Sequence, residues 1–202
     1  MTLLSFSDSF LSAIKQTSFS EWLVFITALA YVFFAIIENV WCWLFGIISC
    51  ALSVYLCYTG KLFLESGLQV FYVIISFYGW YQWLHGSIEK KELRIVSYSF
   101  RKNLVIILTG IAIWIPLGII FSNYSTQVLP FLDAFVTAFS LLATWMTTKK
   151  IIENWLYWIL IDLFAISLYF NRGFYLIALI YFIYTFLAIA GYFKWKKNCN
   201  AY

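Results

Sequence analysis

Apolar residues fill seven long stretches of this chain, and short groups of charged or turn-forming residues separate them. Most of the stretches have the roughly 20 residues that an α-helix needs to cross the hydrocarbon core of a bilayer. The pattern therefore predicts an all-α, multi-pass membrane protein. Its seven spans are predicted at residues 22–37, 41–59, 66–84, 103–122, 131–147, 151–170 and 173–193.

Composition narrows the possible function classes. Of the 202 residues, 64% are hydrophobic and only 11% are charged, whereas soluble domains contain about 25% charged residues. This excludes a soluble enzyme, a secreted disulfide domain and a nucleic-acid-binding protein. The sequence also lacks a phosphate-binding glycine-rich loop and the ligand spacing of a metal site, so we expect no catalytic activity and no cofactor.

Basic residues in the loops predict the orientation, because Lys and Arg are retained on the cytoplasmic side of a membrane. Ten of them belong to the third-to-fourth loop, the fifth-to-sixth loop and the C-terminal segment, and three belong to the other side. The ten are Lys90, Lys91, Arg94, Arg101, Lys102, Lys149, Lys150, Lys194, Lys196 and Lys197, and the three are Lys15, Lys61 and Arg172. We expect a cytoplasmic C-terminus and an external N-terminus.

Short segments of the first half of the chain recur in the second half. The pairs are FITA at 25–28 with FVTA at 135–138 (offset 110), Glu38-Asn39 with Glu153-Asn154 and Trp43 with Trp158 (offset 115), and Gly79 with Gly191 and Trp83 with Trp195 (offset 112). Matches in order along three helices indicate that the first three spans are duplicated as the last three. The fourth span then acts as a spacer and returns the second triplet in the same orientation, which is a parallel repeat.

This repeat predicts a 3+1+3 arrangement and divides the chain into segments. They are an N-terminal interfacial segment at 1–20, a first repeat at 21–84, a loop and spacer helix at 85–130, a second repeat at 131–193 and a basic cytoplasmic tail at 194–202. Facing triplets enclose a site near the middle of the membrane, so the repeat favours a carrier. The alternative is a duplicated structural scaffold.

Asp162 is the acidic residue that lies deep inside a predicted span. A carboxylate there costs at least ~2.5–3.5 kcal/mol unless it faces protein or water and has a partner. Trp155 and Trp158 share its helix face, and aromatic rings beside a carboxylate suit a flat organic cation. The alternatives are a structural, hydrogen-bonded Asp162 and tryptophans that belong to packing or to the membrane-interface belt.

Other polar residues in the spans are further candidates for substrate binding. Gln69, Tyr72 and Ser76 follow helical spacing in the third span, where Gln can donate and accept hydrogen bonds at once. Helix-to-helix hydrogen bonding would explain Gln69 nearly as well. Asn39 and Asn154 lie at the starts of two repeat-related helices, where capping is the simplest role. Asn154 is also a candidate substrate contact, and Asn39 with Trp43 a candidate gate.

Three motifs together carry a resemblance to a known family. They are ENVWCWLFG at 38–46, YGWYQW at 78–83 and ENWLYW at 153–158, and LQVFY at 68–72 adds to them. The chain resembles the PnuC family of vitamin carriers from about residue 21 to residue 197. By that resemblance, Gln69, Trp155 and Trp158 fall where ligand contacts are expected, with Asn154 close by.

The resemblance implies a 3+1+3 fold similar to the sugar-efflux (SWEET-type) carriers, a homotrimer, and a multi-pass position in the bacterial inner membrane. It also implies facilitated diffusion of a non-phosphorylated vitamin, mainly nicotinamide riboside, which a cytoplasmic kinase then traps by phosphorylation. Such a carrier supplies the cell with a precursor of NAD.

The chain departs from this family pattern at three positions. Carriers of nicotinamide riboside often have Asn where this chain has Ser76, Asp162 and Ala190. A carboxylate at Asp162 would suit the thiazolium charge of thiamine, so a thiamine carrier of the same family is the main alternative. A flavin-like vitamin is a further possibility.

Overall fold

The computed structural model describes residues 17–61, 63–86, 93–124 and 129–199, and these fold into seven α-helices. The helices are α1 (Phe19–Ile36), α2 (Trp41–Thr59), α3 (Phe63–His85), α4 (Phe100–Tyr124), α5 (Pro130–Thr148), α6 (Asn154–Asn171) and α7 (Tyr175–Cys199). The predicted all-α fold with seven helical segments is therefore observed in the described part of the chain.

Local chemistry sets several helix ends. Ser18 caps α1 through a reciprocal pair of hydrogen bonds with Glu21, in which each side chain accepts from the other residue's backbone N–H. Pro130 occupies the first position of α5, where its missing N–H costs nothing. The predicted interfacial segment at 1–20 falls mostly outside the described residues, and α1 already includes residues 19 and 20.

Two helix boundaries in the structure differ from the predicted ones. The basic residues from Lys194 onward were expected to form a tail, but α7 continues without interruption to Cys199. The sixth span was expected to begin at residue 151, but α6 begins at Asn154. Ile151 instead forms a parallel β-bridge with Val96, which fixes the described part of the α3–α4 loop against the α5–α6 turn.

Six of the helices form a closed ring. Around it the order is α1, α2, α3, α5, α6 and α7, and each helix packs on the next, with α7 returning to α1. In this ring α2 lies opposite α6, and these two helices do not pack on each other. Between the described helices, α4 packs mainly on α5, with one hydrogen bond of 3.4 Å from the Tyr157 hydroxyl of α6 to the Asn103 carbonyl of α4, and so lies outside the ring.

Glycines allow α4 to approach α5 closely. A Cβ atom at Gly110 would lie 2.6 Å from the ring of Phe139, and a Cβ at Gly118 would collide with the ring of Phe131. The indole of Trp114 adds a hydrogen bond of 2.7 Å to the Phe131 carbonyl. Small residues at a helix interface are a usual device of membrane proteins, where close van der Waals packing replaces the hydrophobic effect between helices.

Five of the helices, α1, α2, α4, α5 and α7, are long and apolar enough to cross a membrane. The two that fall short are α3 and α6, and they carry Gln69, Asn154 and Asp162. A helix that contributes polar side chains to a protein interior has fewer apolar residues for lipid. The protein is a multi-pass membrane protein, and crossing by α3 and α6 stays a prediction.

A shift of 112 residues relates the two triplets of the ring. It carries the end of α1 (Ile36) to the end of α5 (Thr148), the last residue of α2 (Thr59) to that of α6 (Asn171) and the first residue of α3 (Phe63) to that of α7 (Tyr175). The turns agree as well. Glu38 and Lys150 both have positive φ, at 58° and 50°, and so do Lys61 and Gly173, at 60° and 79°.

This single offset corrects two of the pairings expected from sequence. Trp43 packs on Gly79 as Trp155 packs on Gly191, so Trp155 and not Trp158 is the counterpart of Trp43. By backbone conformation, the counterpart of Glu38 is Lys150 and not Glu153. The repeated Glu-Asn dipeptide misled the sequence comparison, because its two copies lie at different points of the corresponding turns.

Candidate functional site

A cavity of ≈ 250 Å³ lies inside the ring, and all six ring helices line it. The structure brings together the seven residues predicted to bind substrate, which are Gln69, Tyr72, Ser76, Asn154, Trp155, Trp158 and Asp162. The predicted gate residues Asn39 and Trp43 are not among its lining residues. The binding role of the seven stays a prediction.

Most of the lining residues occur in pairs separated by 112 residues. The pairs are Ala28 and Ser140, Val32 and Thr144, Ala35 and Thr147, Gly46 and Trp158, Cys50 and Asp162, Gln69 and Tyr181, Tyr72 and Tyr184, and Ser76 and Ala188. The two triplets thus present the same backbone positions to the cavity from opposite sides. The side chains differ within nearly every pair, so the cavity is symmetric in backbone and asymmetric in chemistry.

The asymmetry is greatest between the opposite helices α2 and α6. On the α2 side the lining residues are Gly46, Ser49 and Cys50, all of them small. On the α6 side, Trp158 and Asp162 take the positions that correspond to Gly46 and Cys50. The indole and the carboxylate therefore project from one wall towards a wall with little side-chain volume.

Asp162 is buried, with an exposed fraction of 2%, and it borders the cavity. Tyr181 and Tyr184 of α7 are close enough to interact electrostatically with its carboxylate. Among the residues that the structure describes, none forms an ion pair or a hydrogen bond with Asp162. A buried carboxylate without a partner is costly, so this position favours a positively charged ligand.

Four tryptophans close the end of the ring that holds the α1–α2 turn, the α5–α6 turn and the C-terminal end of α7. We call them the tryptophan cluster: Trp43, Trp83, Trp155 and Trp195. The ring centres of Trp43 and Trp83 are 5.5 Å apart in an edge-on contact, and those of Trp155 and Trp195 are 5.4 Å apart in another. The ring centres of Trp83 and Trp195 are 6.2 Å apart. The two edge-on pairs are counterparts under the 112-residue shift.

Two indoles of the cluster tie the triplets together. Trp83 of α3 donates to the carbonyl of Thr147 in α5 over 3.2 Å, and Trp195 of α7 donates to the carbonyl of Ala35 in α1 over 3.1 Å. These carbonyls belong to the last turns of their helices, and each also accepts a backbone N–H at 3.1 Å, from Lys150 and Glu38 respectively, so the indole is a second donor. The indole N–H groups of Trp43 and Trp155, in contrast, are buried without a hydrogen-bond partner among the described residues.

A polar layer covers the tryptophan cluster on the side away from the cavity. Glu38 forms an ion pair of 3.2 Å with Lys150 and accepts a hydrogen bond from Asn198. The ammonium group of Lys150 also lies 4.6 Å from the centre of the Trp83 ring, in a cation–π contact. This layer, which we call the latch, joins the α1–α2 turn, the α5–α6 turn and the end of α7.

Asn39 and Asn154 have different environments. The Asn39 side chain accepts a hydrogen bond of 3.0 Å from the backbone of Trp41, as a residue at a helix start does. Asn154 is fully buried, donates to the Ile151 carbonyl over 2.6 Å and accepts from the Thr147 hydroxyl over 3.2 Å. Asn154 therefore stiffens the α5–α6 turn while it borders the cavity.

A family model described as nicotinamide mononucleotide transporter matches residues 18–197. The chain belongs to this family. The resemblance to PnuC that the sequence motifs indicate is thereby confirmed. A solved structure described as that of the vitamin B3 transporter PnuC has a TM-score of 0.74 to this one, with 23% sequence identity, and the match covers 98% of this chain and 90% of that chain. It shows that the two proteins share a fold.

Characterised relatives of this transporter have different cargoes in their names. The nicotinamide riboside transporter PnuC of Escherichia coli (strain K12) is 27% identical over 191 residues, covering 82% of this chain and 80% of that protein. The PnuC of Neisseria mucosa is 28% identical over 170 residues, covering 77% and 63%. The riboflavin/roseoflavin transporter RibM of Streptomyces davaonensis is 25% identical over 164 residues, covering 78% and 75%.

One expected departure from the nicotinamide riboside carriers does not concern the cavity. Ala190 is exposed on the outside of α7, whereas Ala188 is buried and lines the cavity. Two residues along a helix correspond to a rotation of about 200°, which places the two side chains on opposite faces. Of the three positions compared, only Ser76 and Asp162 border the cavity of this transporter.

The sequence reasoning missed several lining residues, of which three are tyrosines. Tyr31, Tyr181 and Tyr184 all face the cavity. With 15 tyrosines in the chain, a Tyr inside a span does not stand out as a carboxylate does. The signal that would have found two of them is the repeat itself, since Tyr181 and Tyr184 are the counterparts of Gln69 and Tyr72.

Replacing Trp83 by Phe should lower stability more than replacing Trp155 by Phe, because both changes remove buried ring volume and only the first also removes a hydrogen bond. Trp83→Phe removes the hydrogen bond to Thr147, a loss of about 0.5–1.5 kcal/mol. Trp155→Phe removes an N–H that has no partner, so its removal relieves a desolvation cost. Thermal unfolding midpoints of the purified proteins without cargo measure the difference. Equal midpoints for the two variants would contradict these hydrogen-bond assignments.

Proposed function

We propose that this protein carries nicotinamide riboside across the membrane through the cavity of the helix ring. The proposal rests on the residues that line the cavity. They include the buried, unpartnered carboxylate of Asp162 and, on the same helix, the indoles of Trp155 and Trp158. Nicotinamide riboside is a flat aromatic cation with an amide and a ribose. The family and the names of two relatives support the same cargo.

Each part of this cargo has a matching group in the cavity. The Trp158 ring offers a surface for stacking and cation–π attraction, and Asp162 offers the opposite charge. Gln69 can donate to and accept from the cargo amide. Tyr181, Tyr184 and Ser76 supply hydroxyl groups for the ribose.

The lining favours the riboside over the phosphorylated mononucleotide. None of the described residues that line the cavity is Lys or Arg, and one of them is the carboxylate Asp162. A phosphate group would bring negative charge next to that carboxylate without a compensating cation, which is costly in a site of low dielectric. We infer that phosphorylation of the cargo inside the cell prevents its return, so that a cytoplasmic kinase drives net uptake by facilitated diffusion.

Two other vitamins remain as alternatives. Thiamine is also a flat cation, and Asp162 suits its thiazolium charge. Riboflavin is the cargo in the name of the RibM relative, but riboflavin has no positive charge to pair with Asp162. The carboxylate therefore favours either cation over riboflavin.

Binding of labelled nicotinamide riboside to the purified protein tests the cargo. Unlabelled nicotinamide riboside should displace the label at the lowest concentration, and nicotinamide mononucleotide should displace it at least tenfold less effectively because of its phosphate. Thiamine and riboflavin complete the competition series. Absence of riboside binding together with binding of thiamine would assign the protein to thiamine transport.

Exchange of Asp162 for Asn should weaken cationic cargo selectively. The variant keeps the size and polarity of the side chain and removes its charge, so the affinity for nicotinamide riboside or thiamine should fall about tenfold, or about 1.4 kcal/mol. Weak binding of neutral riboflavin, where measurable, should not fall. Cys50→Ser is the control. Cys50 is the counterpart of Asp162 on α2, and this variant changes the opposite wall without a change in charge. Unaltered cation affinity in Asp162→Asn would assign that residue a structural role.

We also propose that the ring is a parallel 3+1+3 repeat of the sugar-efflux (SWEET) type, with α4 as the spacer. The 112-residue correspondence of helix ends, turns and lining residues supports it. The distribution of basic residues supports a cytoplasmic C-terminus, which places the tryptophan cluster on the cytoplasmic side. Assembly as a homotrimer and a place in the bacterial inner membrane rest on the family resemblance.

The tryptophan cluster and the latch, on this proposal, form a closed cytoplasmic gate. Trp43 is part of the packed cluster below the cavity, and Asn39 fixes the start of α2 beside it. Release of cargo requires the α1–α2 and α5–α6 turns to separate, and the ion pair of Glu38 with Lys150 holds these turns together. The buried N–H groups without partners raise the energy of the closed state and so favour opening.

Removal of the latch charge should speed up exchange of cargo. An ion pair near a surface contributes up to about 1 kcal/mol, so Glu38→Gln should raise the rate of nicotinamide riboside counterflow in vesicles by up to about fivefold. Its equilibrium affinity should stay within twofold. Glu153→Gln is the matched control. Glu153 accepts hydrogen bonds from Ser97 and Tyr98, which connect the α5–α6 turn to the α3–α4 loop and not to the α1–α2 turn. A slower or unaltered rate in Glu38→Gln would contradict the gate.

A further inference from the structure

The wall of the cavity opposite Trp158 has an unusual lack of side-chain volume. It belongs to α2, whose lining residues are Gly46, Ser49 and Cys50. Because α2 and α6 occupy opposite positions in the ring and do not pack on each other, the cavity separates them. The width of the cavity between α2 and α6 therefore depends on the small size of these side chains.

Gly46 and Trp158 lie at corresponding positions of the two triplets. They are separated by the same 112 residues that relate the helix ends and the other lining pairs. Counterparts related by this near-symmetry face the cavity at the same depth from opposite sides. The largest side chain of one wall thus faces the smallest residue of the other.

The other buried glycines of the ring are covered more tightly than Gly46. Gly79 and Gly191 are covered by the indoles of Trp43 and Trp155, which approach to 2.5 Å and 2.7 Å of an added Cβ. An added Cβ at Gly46 would instead lie 3.0 Å from the Tyr31 ring and 3.4 Å from the Ser76 hydroxyl. Both of these residues line the cavity, so a side chain at Gly46 would take up cavity space or push Tyr31 into it.

We propose that the planar ring of the cargo lies in the gap between α2 and α6, stacked on the Trp158 indole and covering Gly46, and that Gly46 sets the thickness of cargo the carrier accepts. The proposal deepens the function inferred above and rests on it. Glycine is less favourable than alanine in a helix, and the close Tyr31 ring together with room for an aromatic ring of the cargo accounts for the missing side chain. Gly46 is in this sense a specificity-determining residue.

A glycine-to-alanine pair tests the proposal. Gly46→Ala should lower the affinity for labelled nicotinamide riboside at least tenfold, because a methyl group at this point narrows the gap. Gly67→Ala is the matched control, since Gly67 lies in α3, is exposed and has no atom within 4 Å of an added Cβ. Its affinity should stay within twofold. Thermal unfolding midpoints establish that both variants are folded.

A double-mutant cycle shows whether the ring lies between the two residues. Trp158→Phe makes the opposite wall smaller, so Gly46→Ala should cost clearly less affinity in that background than in the unaltered protein. If Gly46→Ala does not fold, Cys50→Leu, one helical turn along the same wall, replaces it and should lower the affinity in the same way. Equal affinity of Gly46→Ala and the unaltered protein, or strictly additive effects in the cycle, would overturn the proposal.

The cargo assignment and the Gly46 proposal can fail separately. If the unaltered protein binds thiamine or riboflavin in place of nicotinamide riboside, the cargo assignment is wrong, and the same variants are compared with the vitamin that binds. A tenfold loss in Gly46→Ala would then still support a role of Gly46 in ring placement. If the protein binds none of these vitamins, both proposals are overturned.

Discussion

Two indole hydrogen bonds between the triplets are the contact on which the rest of the bundle depends. A helix that ends within or near a membrane leaves carbonyl groups that water cannot easily reach. Trp83 and Trp195 supply donors to the ends of α5 and α1, each from the other triplet. The same two rings meet at the centre of the tryptophan cluster. They thereby join the two triplets at the end of the ring that the tryptophan cluster closes.

In the cavity, the same backbone arrangement carries space-leaving residues on one side and recognition groups on the other. Because the triplets correspond, α2 and α6 offer the cavity equivalent positions, and the sequence has filled them with opposite properties. Gly46 and Cys50 leave space, whereas Trp158 and Asp162 supply an aromatic surface and a charge. On the proposed function, these differences let a flat cation occupy the cavity in one orientation, although the scaffold around it has nearly two-fold symmetry. The repeat forms the walls of the cavity, and the residues that differ between its two halves would recognise the cargo.

Much of this organisation could be predicted from the sequence, because membrane proteins separate lipid-facing from interior residues strongly. The helical segments follow from apolar runs, and Asp162 and Gln69 stand out as polar residues within them. The register of the repeat could not be predicted in the same way. Identical residues such as the two Glu-Asn dipeptides attract attention, but equivalence depends on backbone position, which relates Glu38 to Lys150. Tyr72 was predicted, but Tyr31, Tyr181 and Tyr184 were missed because aromatic residues occur on every face of these helices.

The ion pair between Glu38 and Lys150 has a consequence for the origin of the two halves. These residues are counterparts and also contact each other, so they lie close to the axis that relates the triplets. In a symmetric dimer of half-length chains, each residue on such an axis would face its own copy. Two glutamates or two lysines would then repel each other at this point. Opposite charges can meet there only when the two halves have different sequences, so neither half alone could build the latch by pairing with itself.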